Sequence, residues 1–266
     1  ATADTSGRLK SYEFEGDFNT GAYSSWGPTV AGRVPVHCMG PYRVPNVRAD
    51  SRAVLTNGPP AGAFRGFGVP QAAIAHETLM DELALACGED RLEFRYLNAI
   101  RTGDRTPSGQ LLEASAGLPE CLVALRPHWA RLCADTKQFN RSAGPRLRRG
   151  TGIGCMWYGC GNTSMSNPST MRVTLSRAGE LVFFNGAQDV GQGSSTVLAQ
   201  ILATALGLPM SQLELVLTDT DLTDDAGKTS ASRQTFVSGK AAELAGRDLR
   251  AKLLQLANVG NPASPA

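Results

Sequence analysis

No two of the six cysteines in this 266-residue chain stand at Cys-x-x-Cys spacing. Thiolate ligation of zinc or of an iron–sulfur cluster relies on closely spaced thiols, so neither is expected on this chain. In a chain of this length Cys38, Cys87, Cys121, Cys133, Cys155 and Cys160 read as buried thiols of a reducing, cytoplasmic compartment. No stretch reaches the roughly 20 apolar residues of a membrane helix, and the first residues lack the order of a signal peptide. The expectation is no membrane partner. Strong charge is missing too: the net charge is +2, too balanced to imply a nucleic-acid partner. The one basic cluster, Arg146, Arg148 and Arg149, reads as a solvated connection. Histidine is scarce, and His37, His76 and His128 have no ligand spacing, so they read as structural. Asp219, Asp221, Asp224 and Asp225 have the composition of a calcium loop without its glycine and terminal Glu. There is no Walker loop, no Gly-x-Ser-x-Gly elbow and no initiator Met. The last point suggests a chain that begins partway through a longer gene product or follows processing.

What is present is an ordinary globular composition, 42% hydrophobic and 19% charged, enough for one or two cored domains. Ala1 to Val30 shows few periodic signals. Arg52 to Thr56 reads as a short strand emptying into the turn residues Asn-Gly-Pro-Pro-Ala-Gly. Val69 to Cys87 has helical apolar spacing with Gly88 as C-cap, and a second helix is expected over Arg91 to Ile100. A third runs from Leu118 to about Cys133, interrupted near Pro127. The first half is thus expected to be mainly helical around one strand and loop.

The polar stretch from Arg141 to Gly150 is the best boundary candidate. Beyond it, Met171 to Leu175 and Glu180 to Phe184 read as strands turned by Ser176 to Gly179. Val197 to Leu206 reads as a helix, Leu213 to Leu217 as a strand and Phe236 to Ala257 as a long helix. The fold class is α+β, two mixed α/β subdomains over 1–145 and 146–266.

Three loops carry candidate chemistry. Gly62 to Gly68 (Gly-Ala-Phe-Arg-Gly-Phe-Gly) lets backbone approach a planar or phosphorylated ligand, with Arg65 as a donor fork and Phe64 and Phe67 to stack on it or fence it. A plain turn with two core aromatics and a solvated Arg fits those residues equally. Asp189 to Thr196 is a Gly-rich loop at a helix start and suits an anionic oxygen, with Gln192 adding an uncharged amide. Ser194 or Ser195 acting simply as an N-cap is the competing reading. Lys228 to Thr235 is rich in hydroxyls around Arg233, which suits a phosphate or a ring edge as well as plain turn chemistry. Two such loops at helix starts suggest convergence on one ligand.

In this order, Ala-Phe-Arg-Gly-Phe-Gly-Val-Pro-Gln (Ala63 to Gln71), Asp-Val-Gly-Gln-Gly (Asp189 to Gly193) and Thr-Ser-Ala-Ser-Arg-Gln-Thr (Thr229 to Thr235) resemble the molybdopterin subunits of the xanthine oxidase family. The resemblance extends from about Arg33 to Ala257. It implies two parts of a molybdenum-cofactor-binding domain, the second incomplete at its C-terminus. The implied cofactor is a molybdenum–pyranopterin, either molybdopterin itself or its cytosine dinucleotide form. The implied reaction is hydroxylation of a carbon next to nitrogen or oxygen with water as oxygen source. Electrons would leave through 2Fe-2S clusters to FAD on partner domains or subunits.

By motif, Phe64 and Arg65 would contact the cofactor near the metal, Arg65 through its backbone, and Phe67 would wall an aromatic substrate slot. Gly191, Gln192 and Gly193 would hold the phosphate end of the pterin, and Thr229, Ser230, Ala231, Ser232 and Gln234 would line the pterin. Arg33, by its spacing to Arg48, resembles the substrate-orienting Arg of the purine enzymes; a surface Arg is the plain alternative. No residue ligates the metal directly. Two departures stand out: the family's Gly-Gly-Gly-Phe-Gly-Gly-Lys type segment and its Gly-x-Gly-Glu segment, with the general-base Glu, are absent. No catalytic residue is therefore expected here, and the chain is expected to be a fragment or one part of a split subunit. It would work with the remainder of the molybdenum subunit, an iron–sulfur subunit and an FAD subunit. Cys155 to Thr163 and Asn167 to Thr170 resemble the nicotinate and purine branch. Aldehyde oxidation on the same cofactor and a non-catalytic partner-binding role are the alternatives.

Overall fold

Tyr12, Phe14 and Phe18 alternate with Glu13, Glu15 and Asp17, and the structure turns that alternation into a long strand where little regular structure was expected. In the computed structural model, which describes residues 1–161 and 166–258, this strand is β2 (Leu9–Gly21). It pairs antiparallel with β1 (Thr2–Ala3) and parallel with β3 (Asn46–Leu55). A parallel partner requires a crossover, and α1 (Gly27–His37) supplies it. Helical spacing is hard to read there because Gly32 and Pro35 interrupt it. The register sets Glu13 opposite Arg48 and Asp17 opposite Arg52, and Arg52 bonds Asp17 at 2.6 Å and Glu15 at 3.0 Å. These pairs lie in solvent, so they fix register more than they stabilise. The expected picture of a helical first half with one strand is corrected to a three-stranded sheet with four helices among the described residues.

The helix α2 spans Val69–Cys87 and ends on Gly88 in the left-handed conformation, as its cap pattern predicts. α3 (Arg91–Asn98) begins at Asp90, whose carboxylate accepts from the N–H groups of Leu92 and Glu93. The third helix is continuous through Pro127 and extends past Cys133: α4 runs from Leu118 to Ser142. One lost backbone bond is tolerated because α4 packs on α3, with Arg126 bonded twice to Glu93 at 2.7 Å and lying over the Tyr96 ring. Leu9, Tyr42, Met80, Leu92, Phe94 and Leu122 fill the core.

Two compact units, Ala1–Tyr158 and Gly159–Ala266, divide the chain, so the 145/146 boundary expected from composition falls inside the first. The polar stretch after α4 folds back on its own unit. Asn140 exchanges bonds of 2.9 and 2.8 Å with the Arg149 backbone, the hydroxyls of Thr136 and Thr151 meet, and Cys155 is part of the core. Polarity marks a surface segment there, not a domain edge.

The second unit has the same sheet logic. β4 (Arg172–Leu175) and β5 (Leu181–Asn185) form the expected hairpin, and β5 runs parallel to β6 (Leu213–Leu217) through α5 (Ser194–Leu206). β5 buries Leu181, Phe183 and Asn185 by strict alternation. The last helix is preceded by a π-turn, Gln234–Ser238, and α6 spans Gly239–Leu256 against α5. Phe183, Leu198, Leu202 and Leu206 centre this core. The fold class is α+β, with two mixed units.

Candidate functional site

In the first unit the loop between β3 and α2 is shaped by three consecutive left-handed residues, Gly66 (φ 93), Phe67 (φ 48) and Gly68 (φ 91). A Cβ on Gly68 would sit 2.6 Å from the Val30 carbonyl oxygen, so only glycine lets this turn lie against α1. Phe67 holds a conformation costing an L-residue about 1–2 kcal/mol, and its ring meets Trp26 edge-on at 6.1 Å. Phe64 is 84% exposed. Arg65 is exposed and makes no ion pair among the described residues.

Trp26 caps α1, and Arg33 lies seven residues on, hence on the same helix face. The expected substrate residues Phe67 and Arg33 are thus both tied to α1. Arg33 is half-buried with its guanidinium 5.0 Å from the centre of the Tyr158 ring. His37, one turn further, accepts or donates at the Arg33 carbonyl (3.1 Å) and stacks between Trp157 at 4.5 Å and Tyr158 at 5.7 Å. Burial pushes His37 down to about 4, so the ring is neutral near pH 7. The structural reading of His37 and His76 holds: both are buried, His76 against the Cys155 carbonyl at 3.2 Å.

In the second unit the Asp189 carboxylate, not Ser194 or Ser195, closes the N-terminus of α5. The helix starts after Gly193 with no side-chain bond from its cap residue. Asp189 instead accepts from Gly191 (2.8 Å), Gly193 (3.2 Å) and Ser195 (3.1 Å). The backbone N–H of Ser195, then that of Gly191, hold its carboxyl below the usual carboxylate range. Gln192 accepts from Val190 N–H (2.7 Å) and donates to Ser194 Oγ (2.9 Å). The loop is preformed, and its anion-friendly N–H groups already face a carboxylate of the same chain. The Asp-x-Gly spacing, an Asx-turn signal, was the sequence clue to this.

Loops two and three of the sequence reading do meet. Thr229 donates to the Gln188 carbonyl at 2.7 Å, Gln234 donates to Thr229 Oγ1 at 2.7 Å, and Ser238 donates to Gln234 Oε1 at 2.5 Å. Ala231 (φ 52) and Ser232 (φ 56) form a left-handed pair, pinned by Gly161 N–H to the Ala231 carbonyl (2.8 Å) and by the Cys160 thiol to the Ser232 carbonyl (3.1 Å). Arg233 differs from expectation. It is 1% exposed and turns inward, donating to the carbonyls of Ala226 (2.7 Å), Lys228 (3.1 Å) and Pro168 (2.5 Å), so it shapes the loop and cannot reach an anion.

These residues fit a large planar ligand with a polar end. Gly191 (φ 101) and Gly193 (φ 79) have nothing within 4 Å of the place a Cβ would occupy, so the loop face between them is open to a flat group. Val190 beside them is 72% exposed, an apolar side chain left uncovered. Among the described residues no three His, Cys, Asp or Glu side chains gather as a metal site. Asn162 and Thr163, part of the segment that resembles the nicotinate and purine branch, lie outside the described residues.

The pattern described as "Molybdopterin cofactor-binding domain" matches residues 123–265, and a second of the same description matches 1–99. The large molybdopterin subunit of nicotinate dehydrogenase from Eubacterium barkeri is 53% identical over 126 residues, 47% of this chain and 29% of that protein. A putative xanthine dehydrogenase molybdenum-binding subunit from Escherichia coli K12 is 35% identical over 261 residues, 95% of this chain and 34% of that protein. The solved aldehyde oxidoreductase of Desulfovibrio gigas superposes with a TM-score of 0.81 at 29% identity, over 97% of this chain and 30% of that one. The chain thus spans about a third of the length of the relatives it matches. With one pattern covering more than half of it, the chain belongs to the molybdopterin cofactor-binding domain family, within the xanthine oxidase group of molybdenum subunits.

Proposed function

We propose that this chain grips the cofactor in a molybdenum hydroxylase that acts on an N-heterocyclic aromatic of the nicotinate or purine type, with water as the oxygen source. The observation that carries the reading is the junction of the two polar loops of the second unit through Thr229 and Gln188, which makes them one continuous polar surface. The identity to the nicotinate dehydrogenase subunit favours an N-heterocycle over an aldehyde. Gln192, Gly191 and Gly193 hold the polar end of a molybdenum–pyranopterin, in its plain or cytosine dinucleotide form. Thr229, Ser230, Ala231, Ser232 and Gln234 line the ring system. In the first unit Phe64 offers an exposed aromatic and Arg65 its backbone to the cofactor near the metal, while Phe67 and Arg33 face substrate. When bound, the cofactor supplies the two-electron oxidation and the oxygen transfer.

The general base and the electron path to 2Fe-2S and FAD belong to the remainder of the molybdenum subunit and to partner subunits, in a cytoplasmic assembly. Metal analysis and cofactor extraction of the whole assembly, co-expressed from neighbouring genes, test this. Molybdenum and a pterin are expected in stoichiometric amounts, and an active assembly with neither would sink the reading. Arg65→Ala is expected to lower molybdenum content at an unchanged unfolding midpoint; unchanged content would make the loop structural. Turnover of nicotinate and xanthine is expected, and turnover of an aromatic aldehyde alone would move the enzyme to the aldehyde branch.

A further inference from the structure

We propose that Tyr158 is a positioning residue: it holds the Arg33 guanidinium as a flat cationic wall that selects ring substrates bearing a carboxylate over their uncharged counterparts. The proposal rests on the placement of Arg33 and Phe67 at the substrate slot given above. The guanidinium carbon lies 5.0 Å from the Tyr158 ring centre, inside the roughly 6 Å over which a cation is attracted to an aromatic face. Tyr158 is held in turn: His37 lies against it at 5.7 Å and 25°, and Trp157 backs His37 at 4.5 Å and 36°. The His37 ring is also bonded to the Arg33 carbonyl at 3.1 Å, so the stack is anchored to the helical turn that carries Arg33.

Four planar groups in series leave the guanidinium little rotamer freedom, and freedom removed before binding is not lost at binding. Because His37 is neutral, Arg33 carries the positive charge of this stack at neutral pH. Arg33 and Tyr158 are both half-buried rather than sealed. A planar fork matches a carboxylate with two parallel bonds, and a point charge does not. Phe67, tied to Trp26 at the start of the same helix, supplies the apolar wall for the ring that bears the carboxylate.

The test is a selectivity ratio in the cofactor-loaded assembly, taken as kcat/KM for a carboxylated ring over its uncharged partner. Nicotinate is paired with pyridine, and 4-carboxybenzaldehyde with benzaldehyde. Tyr158→Leu is expected to lower the ratio by roughly three- to thirtyfold through KM for the acid, in line with the strength of such cation–ring contacts, with kcat little changed. Tyr158→Phe, which keeps the ring, is expected to restore it. Arg33→Lys is expected to lose it despite keeping the charge. An unchanged ratio in Tyr158→Leu, or equal losses on both members of a pair, would overturn the proposal. If the wild type turns over only the aldehyde pair, the N-heterocycle reading fails while the ratio on that pair still decides Tyr158; turnover of neither pair overturns both. Titration of nicotinate against tryptophan fluorescence, to which Trp157 contributes from within the stack, makes the same comparison without turnover should Tyr158→Leu fail to load cofactor.

Discussion

The two units share a sheet plan, an antiparallel strand followed by a parallel β-α-β crossover, yet they bury their arginines in opposite ways. In the first, Arg95 is fully buried against carboxylates, Glu77 at 2.8 Å and Asp81 at 2.8 Å, and Tyr42 donates to Glu77 at 2.5 Å. In the second, Arg233 is equally buried but its bonds go to backbone carbonyls of the polar loops. An ionic cluster ties side chains of a core together and depends on every charge being present. A guanidinium on carbonyls fixes the path of the main chain instead. The first device braces the scaffold of α2 and α3; the second sets the shape of a polar loop.

All three tryptophans and all three histidines lie in the first unit, so tryptophan fluorescence follows that unit alone. The largest expected effect is that of Arg95→Met, which strands two carboxylates and should destabilise the first unit by about 3–5 kcal/mol. Denaturant titration followed by fluorescence measures it, and a shift below about 1 kcal/mol would show the cluster to be solvated. Acid comes next. Burial takes His37 from 6.5 to about 4, so the unfolded chain takes up the proton first and stability falls between those values, by about 3 kcal/mol. His76 is lowered as well, by burial first, and adds in the same direction. The fluorescence midpoint should drop as pH falls from 6.5, and His37→Gln should flatten that slope; a flat wild-type profile would break the contrast.

In the second unit Arg233→Met leaves three carbonyls without their donor, an expected cost of about 2 kcal/mol. It is read by amide exchange in α5 and α6, with the fluorescence transition unmoved. The smallest effect is expected from Asp189→Asn, which keeps one acceptor oxygen: faster exchange of the Gly191, Gly193 and Ser195 amides with little change in global stability. The Asp189 carboxyl is held below the usual carboxylate range, so in the parent protein these amides should lose protection only as pH falls past that range. Unchanged exchange in the variant would mean that Gln192 alone holds the loop.

Legibility followed local physics. Val69–Cys87 was readable to the residue because apolar spacing and flanking glycines agree there, and Leu213–Leu217 because its leucines alternate. β2 was obscured because Gly16 interrupts its alternation of aromatic and acidic residues, and α1 because its glycine and prolines break the helical signature. α4 outran its reading because its last turns, Asp135 to Ser142, are polar and carry little apolar spacing. Among the candidate site residues, Phe67, Gln192, Thr229 and Gln234 fell where the loops were expected; Arg233 turned inward, and Asp189, Trp157 and Tyr158, though inside the quoted segments, had been given no role of their own.

The residues alone determined which loops exist, in which order, and that two of them open helices, because turn chemistry and periodicity are local. Only the tertiary structure decided what those loops are bonded to. Gln188 meets Thr229, Asp189 takes the start of α5, Arg233 faces carbonyls, and Arg33 lies over Tyr158. Side-chain direction in a folded chain is set by desolvation and by partners distant in sequence, and no local pattern carries that information.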